Sequence, residues 1–228
     1  MSAKVPIITI DGPSGSGKGT IGRLLAADLG FNYLDSGALY RLLALAAQRH
    51  KVSLDNVEGL AILAAHMDVV FQMDEQGEDA KILFESEDVS QLIRSEDIGV
   101  KASIVAAIPE VRRALLQRQH AFAQDPGLVA DGRDMGTVVF DKAEVKIFLT
   151  ASSEERVKRR HKQLIGKGES DSLAALKDKV RERDDRDLQR SVSPLQAAEG
   201  AVSIDSTEFS VNEVFARVRR QVEKELNI

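Results

Sequence analysis

The sequence predicts an α/β fold, a parallel five-stranded sheet sandwiched by helices, forming one domain over residues 1–228. Three observations predict it. The apolar run Val5 to Ile10 leads into a glycine-rich turn, Gly12 to Thr20, and then an amphipathic helix pattern. Short apolar strands alternate with helical patterns along most of the chain, the pattern of a parallel sheet. With 228 residues and 43% apolar content, the chain can bury one substantial core and add a small inserted unit.

The first strand and turn carry the chemistry. A strand that feeds a glycine-rich turn and then a helix aims several backbone N–H groups and the positive end of the helix dipole at one spot, which suits phosphate. Gly12, Pro13, Ser14, Gly15, Ser16, Gly17, Lys18, Gly19 and Thr20 match G-x-x-x-x-G-K as far as the lysine, so this stretch is the expected cradle for a nucleoside triphosphate, with Lys18 reaching the outer phosphates. Gly19 then occupies the place of the usual hydroxyl, and Thr20 follows one residue later. Magnesium thereby loses a direct side-chain ligand. This G-K-G-T form is common in kinases that phosphorylate nucleotides, whereas signalling GTPases put Ser or Thr straight after the lysine.

Composition narrows the rest. There is no cysteine, which excludes disulfides and thiolate metal sites and agrees with a reducing compartment. The apolar residues before Asp11 are too few for a signal-peptide core and no run reaches the length of a membrane span, so a soluble, cytoplasmic protein is expected. A net charge of −5 with two Tyr and no Trp offers neither a basic face nor stacking platforms, so no polynucleotide partner is expected. Seven arginines nevertheless fall between Arg156 and Arg190.

Element by element, Ile21, Leu24, Leu25 and Leu29 recur at helical spacing and Gly30 stands where a left-handed cap belongs. Phe31 to Leu34 reads as a second strand with Asp35 and Ser36 at its end. The helix that follows turns Leu39, Leu42, Leu43, Ala46 and Ala47 inward and puts Tyr40 and Arg41 on or beside its polar side. Residues 54–66 read as a helix, and Asp68 to Met73 and Ala80 to Phe84 as two strands across the turn DEQGED. These strands interrupt the alternation and form the core of an insert within 50–125. Helices follow near 95–107 and 109–124, the second opened by Pro109.

The main sheet resumes with Gly127 to Ala130. Asp131 follows a buried-type strand, where P-loop proteins keep the carboxylate that holds magnesium or its water; an ordinary Asp-Gly turn explains the residue if it is taken alone. Val145 to Leu149 is the next strand, and Ser152 or Ser153 caps a helix through Arg156, Arg159 and Arg160 into the polar segment IGKGESDS, an expected lid within about 156–185. On the helix from Leu173 to Arg190, Arg183, Arg186, Asp187 and Arg190 share one face. A last strand, Ala201 to Ile204, and a helix over 211–225 with Val211, Val214, Val218, Val222 and Leu226 inward close the chain.

Four motifs in order, GPSGSGKGT, DSGALYR at 35–41, DGRDMGTVVF at 131–140 and RERDDRDLQR at 181–190, resemble the bacterial cytidylate kinase family, which phosphorylates CMP and dCMP with ATP. The resemblance spans nearly the whole chain. It implies that Ser103, Arg112 and Asp134 read cytosine, that Arg183 and Asp187 contact the ribose, and that Arg41, Arg133 and Arg190 grip the acceptor phosphate, with Asp35, Ser36 and Tyr40 lining the same pocket. Arg159 and Arg160 both stand as candidates for closing over the transferring phosphoryl group, beside Lys18, Arg133, Arg183 and Arg190. Taken singly, each of these residues has a plainer explanation as a surface charge, a cap or an i,i+4 pair.

The count of cations also makes physical sense. Two highly charged anions must be neutralised before an oxygen of one can approach the phosphorus of the other, and planar arginines fix phosphate bidentately. ATP, Mg2+ and CMP or dCMP are the expected ligands of a monomer. Two other readings compete: a P-loop kinase for another small acceptor such as UMP, another nucleotide or a shikimate-like metabolite, and a nucleotide switch. The second lacks any guanine-reading [NT]-K-x-D sequence.

Overall fold

A computed structural model describes residues 5–73, 80–166 and 172–228. The turn DEQGED and positions 167–171 of the polar segment lie outside the described residues. Strands β1 (Ile7–Asp11), β2 (Asn32–Asp35), β6 (Leu128–Gly132), β7 (Val145–Thr150) and β8 (Val202–Asp205) form one sheet in the order β2-β6-β1-β7-β8. Every pairing in it is parallel. Strands β3 (Val69–Met73), β4 (Ala80–Phe84) and β5 (Glu87–Asp88) make a separate antiparallel sheet.

The alternation of side chains along the strands sorts the core into two layers. Ile8, Ile10, Val129, Ile147 and Leu149 pack with helices α1 (Lys18–Leu29) and α8 (Val211–Leu226). On the other face, Leu128 and Ala130 pack with α2 (Ser36–Arg49), α3 (Val57–His66), α4 (Glu96–Val105) and α5 (Pro109–His120). Because both faces are covered, β1 reads as an almost continuous apolar run, as strands of a parallel sheet do. Two further helices, α6 (Ser153–Ile165) and α7 (Leu173–Gln189), pack on each other through Val157, Leu164 and Leu176.

Helix ends follow local chemistry. Gly30 takes φ 66° and returns its N–H to Ala26 and Ala27 at the end of α1. Asp35 caps α2, accepting from the Ala38 N–H at 3.0 Å, and Ser152 caps α6, accepting from Glu155 at 3.2 Å. Several expectations need correction. Tyr40 is buried on α2, ten of whose fourteen residues are buried, and Val211, the first residue of α8, is exposed. Asp131 lies inside β6, paired in register with Ile10 and Asp35, so its carboxylate starts from a rigid strand and not from a turn. A π-helical turn over Met135–Val139, for which the sequence offers no pattern, follows β6. Among the described residues no helix is long and apolar enough to cross a membrane.

Candidate active site

The central strand β1 ends between neighbours on opposite sides of the sheet, β6 and β7, and the loop Gly12 to Gly17 leaves from that edge. Parallel α/β sheets bind ligands at this kind of crevice. The loop has no room for side chains at two points. A Cβ on Gly12 would lie 2.0 Å from the Leu149 carbonyl oxygen, and Gly15, at φ +79°, would bring one to 3.1 Å from Cβ of Arg156. Lys18 opens α1 with its side chain buried and its Nζ donating to the Pro13 carbonyl at 3.1 Å.

Gly19 faces Asp131, and a Cβ there would stand 3.3 Å from Oδ2. The unusual G-K-G-T spelling therefore leaves space for a carboxylate where other phosphate loops keep a hydroxyl. Asp131 Oδ2 accepts the Tyr33 hydroxyl. Burial and the carboxylate of Asp35 raise its pKa to about 7, against the attraction of Lys18. Burial and the guanidinium of Arg133 bring Lys18 down to about 7, partly offset by Asp131.

Two cavities meet at this lysine. One, of about 200 Å³, is lined by Asp35, Ser36, Tyr40, Arg41, Ser103, Arg112, Asp131, Arg133, Asp134, Arg183, Asp187 and Arg190, together with Ser14 and Lys18. It thus gathers every acceptor residue named from the sequence, drawn from the end of β2, α2, α4, α5, β6 and its following turn, and α7 with its C-terminal cap. The other, of about 440 Å³, runs over Gly15, Gly17, Lys18 and Thr20 towards Arg156, Arg160 and Lys179. Ser14, Lys18, Gly19, Asp35, Arg41 and Arg183 line both.

Within the smaller cavity the charged groups hold one another. Arg112 and Asp134 form a buried ion pair, and Arg112 also donates to the Ala106 carbonyl at 3.0 Å while its guanidinium lies 5.7 Å above the Tyr40 ring. Arg133 pairs with Asp187 at 2.8 Å. Arg41 donates to the carbonyls of Ile93 and Ser95 at 2.7 and 3.2 Å, and Gly99 leaves room for its guanidinium. Ser103 accepts from Arg186 at 3.2 Å, and Ser36 donates to Gln119 at 2.8 Å.

Two arginines keep unused donors. The Nε of Arg183 and Nη2 of Arg190 are buried without a hydrogen-bond partner. Burial, with Arg133 and Arg41 nearby, lowers Arg183 to about 9, the signature of cations crowded in the absence of enough anions. Such donors are costly to bury and suit an anionic guest.

The two lid candidates differ. Arg159 is occupied by Glu155, by the hydroxyl and carbonyl of Ser206 and by the Ser16 carbonyl, and it lines neither cavity. Arg160 lines the larger cavity and pairs with Glu96.

Two residues escaped the sequence reading. Asp11, the last residue of β1, accepts the N–H groups of Met135 and Gly136, each at 2.8 Å, and so fixes the turn that follows Arg133 and Asp134. Burial raises it to about 6 in spite of those amides. Its position next to Gly12 was a signal, but its partners lie 124 and 125 residues away. Arg156 is buried and donates to the Ala151 and Ser14 carbonyls and to Asp184. Nothing local distinguishes it from the other six arginines of its region.

Among the described residues no group of three or more His, Cys, Asp or Glu side chains is placed to hold a metal ion. Asp35 and Asp131 are cross-strand neighbours that repel each other beside the phosphate loop. Magnesium at phosphate sites takes one or two carboxylates and completes its shell with water and phosphate oxygen, so this pair fits it.

A cytidylate kinase family model matches residues 8–224. Proteins named cytidylate kinase from Pseudomonas entomophila (strain L48) and Pseudomonas putida (strain W619) are each 58% identical over 222 residues, covering 97% of both chains. One from Colwellia psychrerythraea (strain 34H) is 56% identical over 218 residues and covers 96% of both. With the match running from the first strand to the last helix, the chain belongs to the cytidylate kinase family.

Proposed function

We propose that the protein transfers the γ-phosphoryl group of ATP directly to CMP or dCMP, giving ADP and CDP or dCDP, as a cytoplasmic monomer. The observation that carries this reading is the cation-rich cavity of about 200 Å³ that shares Lys18 and Arg183 with the groove over the glycine loop. The loop amides and Lys18 would hold the donor's β- and γ-phosphates. Arg41, Arg133 and Arg190 would hold the acceptor phosphate, with Arg183 and Asp187 on the ribose. Cytosine presents an amine for Asp134 and a ring nitrogen and carbonyl for Arg112 and the Ser103 hydroxyl.

Binding both nucleotides in adjoining cavities makes the attack effectively unimolecular. The acceptor oxygen needs no general base, because a phosphate monoester with a second pKa of about 6 is already a dianion at neutral pH. Accordingly the buried carboxylates serve binding. Lys18 and Arg183 would stabilise charge spread over the transferring group in a loose transition state. Magnesium, when bound near Asp35 and Asp131, would neutralise the donor phosphates. Arg160, which faces the groove, is the lid arginine of this proposal, and α6 and α7 are its cover against water.

The reading is tested by supplying purified protein with magnesium and ATP and offering CMP, dCMP, UMP, AMP, GMP and shikimate in turn, with nucleoside diphosphate measured directly. CMP and dCMP should be the preferred acceptors. Preference for AMP or shikimate, or ATP hydrolysis without transfer, overturns it.

A further inference from the structure

The guanidinium of Arg156 joins three parts of the molecule that are far apart in sequence. Its Nε donates to the Ala151 carbonyl at 3.1 Å, at the end of β7. Its Nη1 donates at 3.1 Å to the carbonyl of Ser14, within the phosphate loop, and at 3.0 Å to Asp184 Oδ1. Nη2 completes a bidentate pair with Asp184 Oδ2 at 2.5 Å. The arginine side chain is 7% exposed and that of Asp184 18%, so the pair is shielded from solvent and geometrically fixed. Close approach is built in on the loop side as well, since Gly15 is the residue packed against the Arg156 backbone and Cβ.

Asp184 sits on α7 between Arg183 and Asp187, both of which line the smaller cavity. A guest that draws Arg183 and Asp187 towards itself must also displace Asp184, because all three ride on one helix. Through the paired guanidinium that displacement reaches the Ser14 carbonyl, on a loop residue that lines both cavities.

We propose that Arg156 and Asp184 are positioning residues that couple the two nucleotide sites, so that filling the acceptor cavity tightens the phosphate loop on the donor and the converse. The proposal rests on the assignment of CMP to the smaller cavity and ATP to the loop. Coupling between two sites is reciprocal in binding, which makes it measurable from either side.

The test is calorimetric titration of the full chain with CMP and with a non-hydrolysable ATP analogue, each alone and each in the presence of the other. In the parent protein, CMP should raise affinity for the analogue about 5-fold or more, with the same factor for the reverse order. Asp184→Asn should bring that factor close to one while each nucleotide alone binds within about threefold of the parent, since one coupling partner is lost and no ligand contact is. Arg156→Lys, which can reach Ser14 or Asp184 but not both, should likewise bring the factor close to one, with donor affinity altered as well because Arg156 lines the larger cavity, and serves if the first variant is unstable. Asp184→Glu, which keeps the charge, should restore part of the factor. Equal factors in parent and variants, or a parent factor of one, would overturn the coupling. Failure of the parent to bind CMP would instead sink the assignment on which it rests.

Discussion

The donor and acceptor regions are built by opposite means. The loop proposed for the donor is six consecutive residues, Gly12 to Gly17, between β1 and α1, and it offers mostly backbone. The acceptor cavity takes side chains from four separate stretches of chain, and within it Arg112 pairs with Asp134 and Arg133 with Asp187. A backbone site tolerates any phosphate with the right reach. A site of paired side chains can choose, because a guest must replace the partners it displaces.

That contrast can be broken most decisively at Lys18. Lys18→Ala should reduce kcat by about 10³-fold while leaving the thermal unfolding curve near that of the parent, because the side chain bonds only the loop's own Pro13 carbonyl. Loss of the fold would instead make the lysine a structural residue.

Asp134→Ala tests the other region. Removing one charged hydrogen-bond acceptor, and freeing Arg112 to donate elsewhere, should lower kcat/KM for CMP by about 10- to 100-fold with KM for ATP little changed. Equal effects on both substrates would erase the distinction between the regions.

Asp11 belongs to both, as the residue before the loop and the anchor of the turn behind Arg133 and Asp134. Asp11→Ala leaves the Met135 and Gly136 amides buried without an acceptor and should cost about 2 kcal/mol in denaturant unfolding, with the use of both substrates impaired. Impairment confined to CMP would place its influence in the acceptor region alone.

The smallest effect is a proton. Burial and the guanidinium of Arg133 push Lys18 down to about 7. A triphosphate beside it favours the protonated forms of Lys18 and of the neighbouring Asp131, itself raised to about 7, so binding takes up protons at and above neutrality. The sign follows for affinity, which should fall as pH rises through and above 7. Titration of ATP without magnesium at pH 8, in buffers of different ionisation enthalpy, measures the uptake, and Lys18→Ala should reduce it.

Legibility in the sequence followed the same division. The loop, its flanking strand and helix, and the order of the remaining strands could be read because glycine, lysine and apolar periodicity act over a few residues. On α7 the offsets of Arg183, Arg186, Asp187 and Arg190 revealed a shared face, yet only three of the four line the cavity, Arg186 turning to Ser103. Ser103, Arg112 and Asp134 were named only through resemblance to a family, since nothing in their own neighbourhoods sets them apart. Asp11 and Arg156 act through partners tens to more than a hundred residues distant, and no periodicity encodes such distances. The π-helical turn after Asp134 exists because Asp11 draws two consecutive amides to itself, a tertiary cause with no local mark.

The handshake between Arg112 and Asp134 has a further consequence. Two side chains that already satisfy each other give up that bond only to a ring that replaces it on both sides. The toll for entry is then levied by the protein itself. A pyrimidine that offers both a donor to the aspartate and acceptors to the arginine recovers what it dislodges, whereas one with a carbonyl in place of the amine strands a carboxylate against oxygen. If Arg112 and Asp134 read the base as proposed, discrimination between two rings of nearly the same outline would come from the cost of that parting, without any need for a tighter wall.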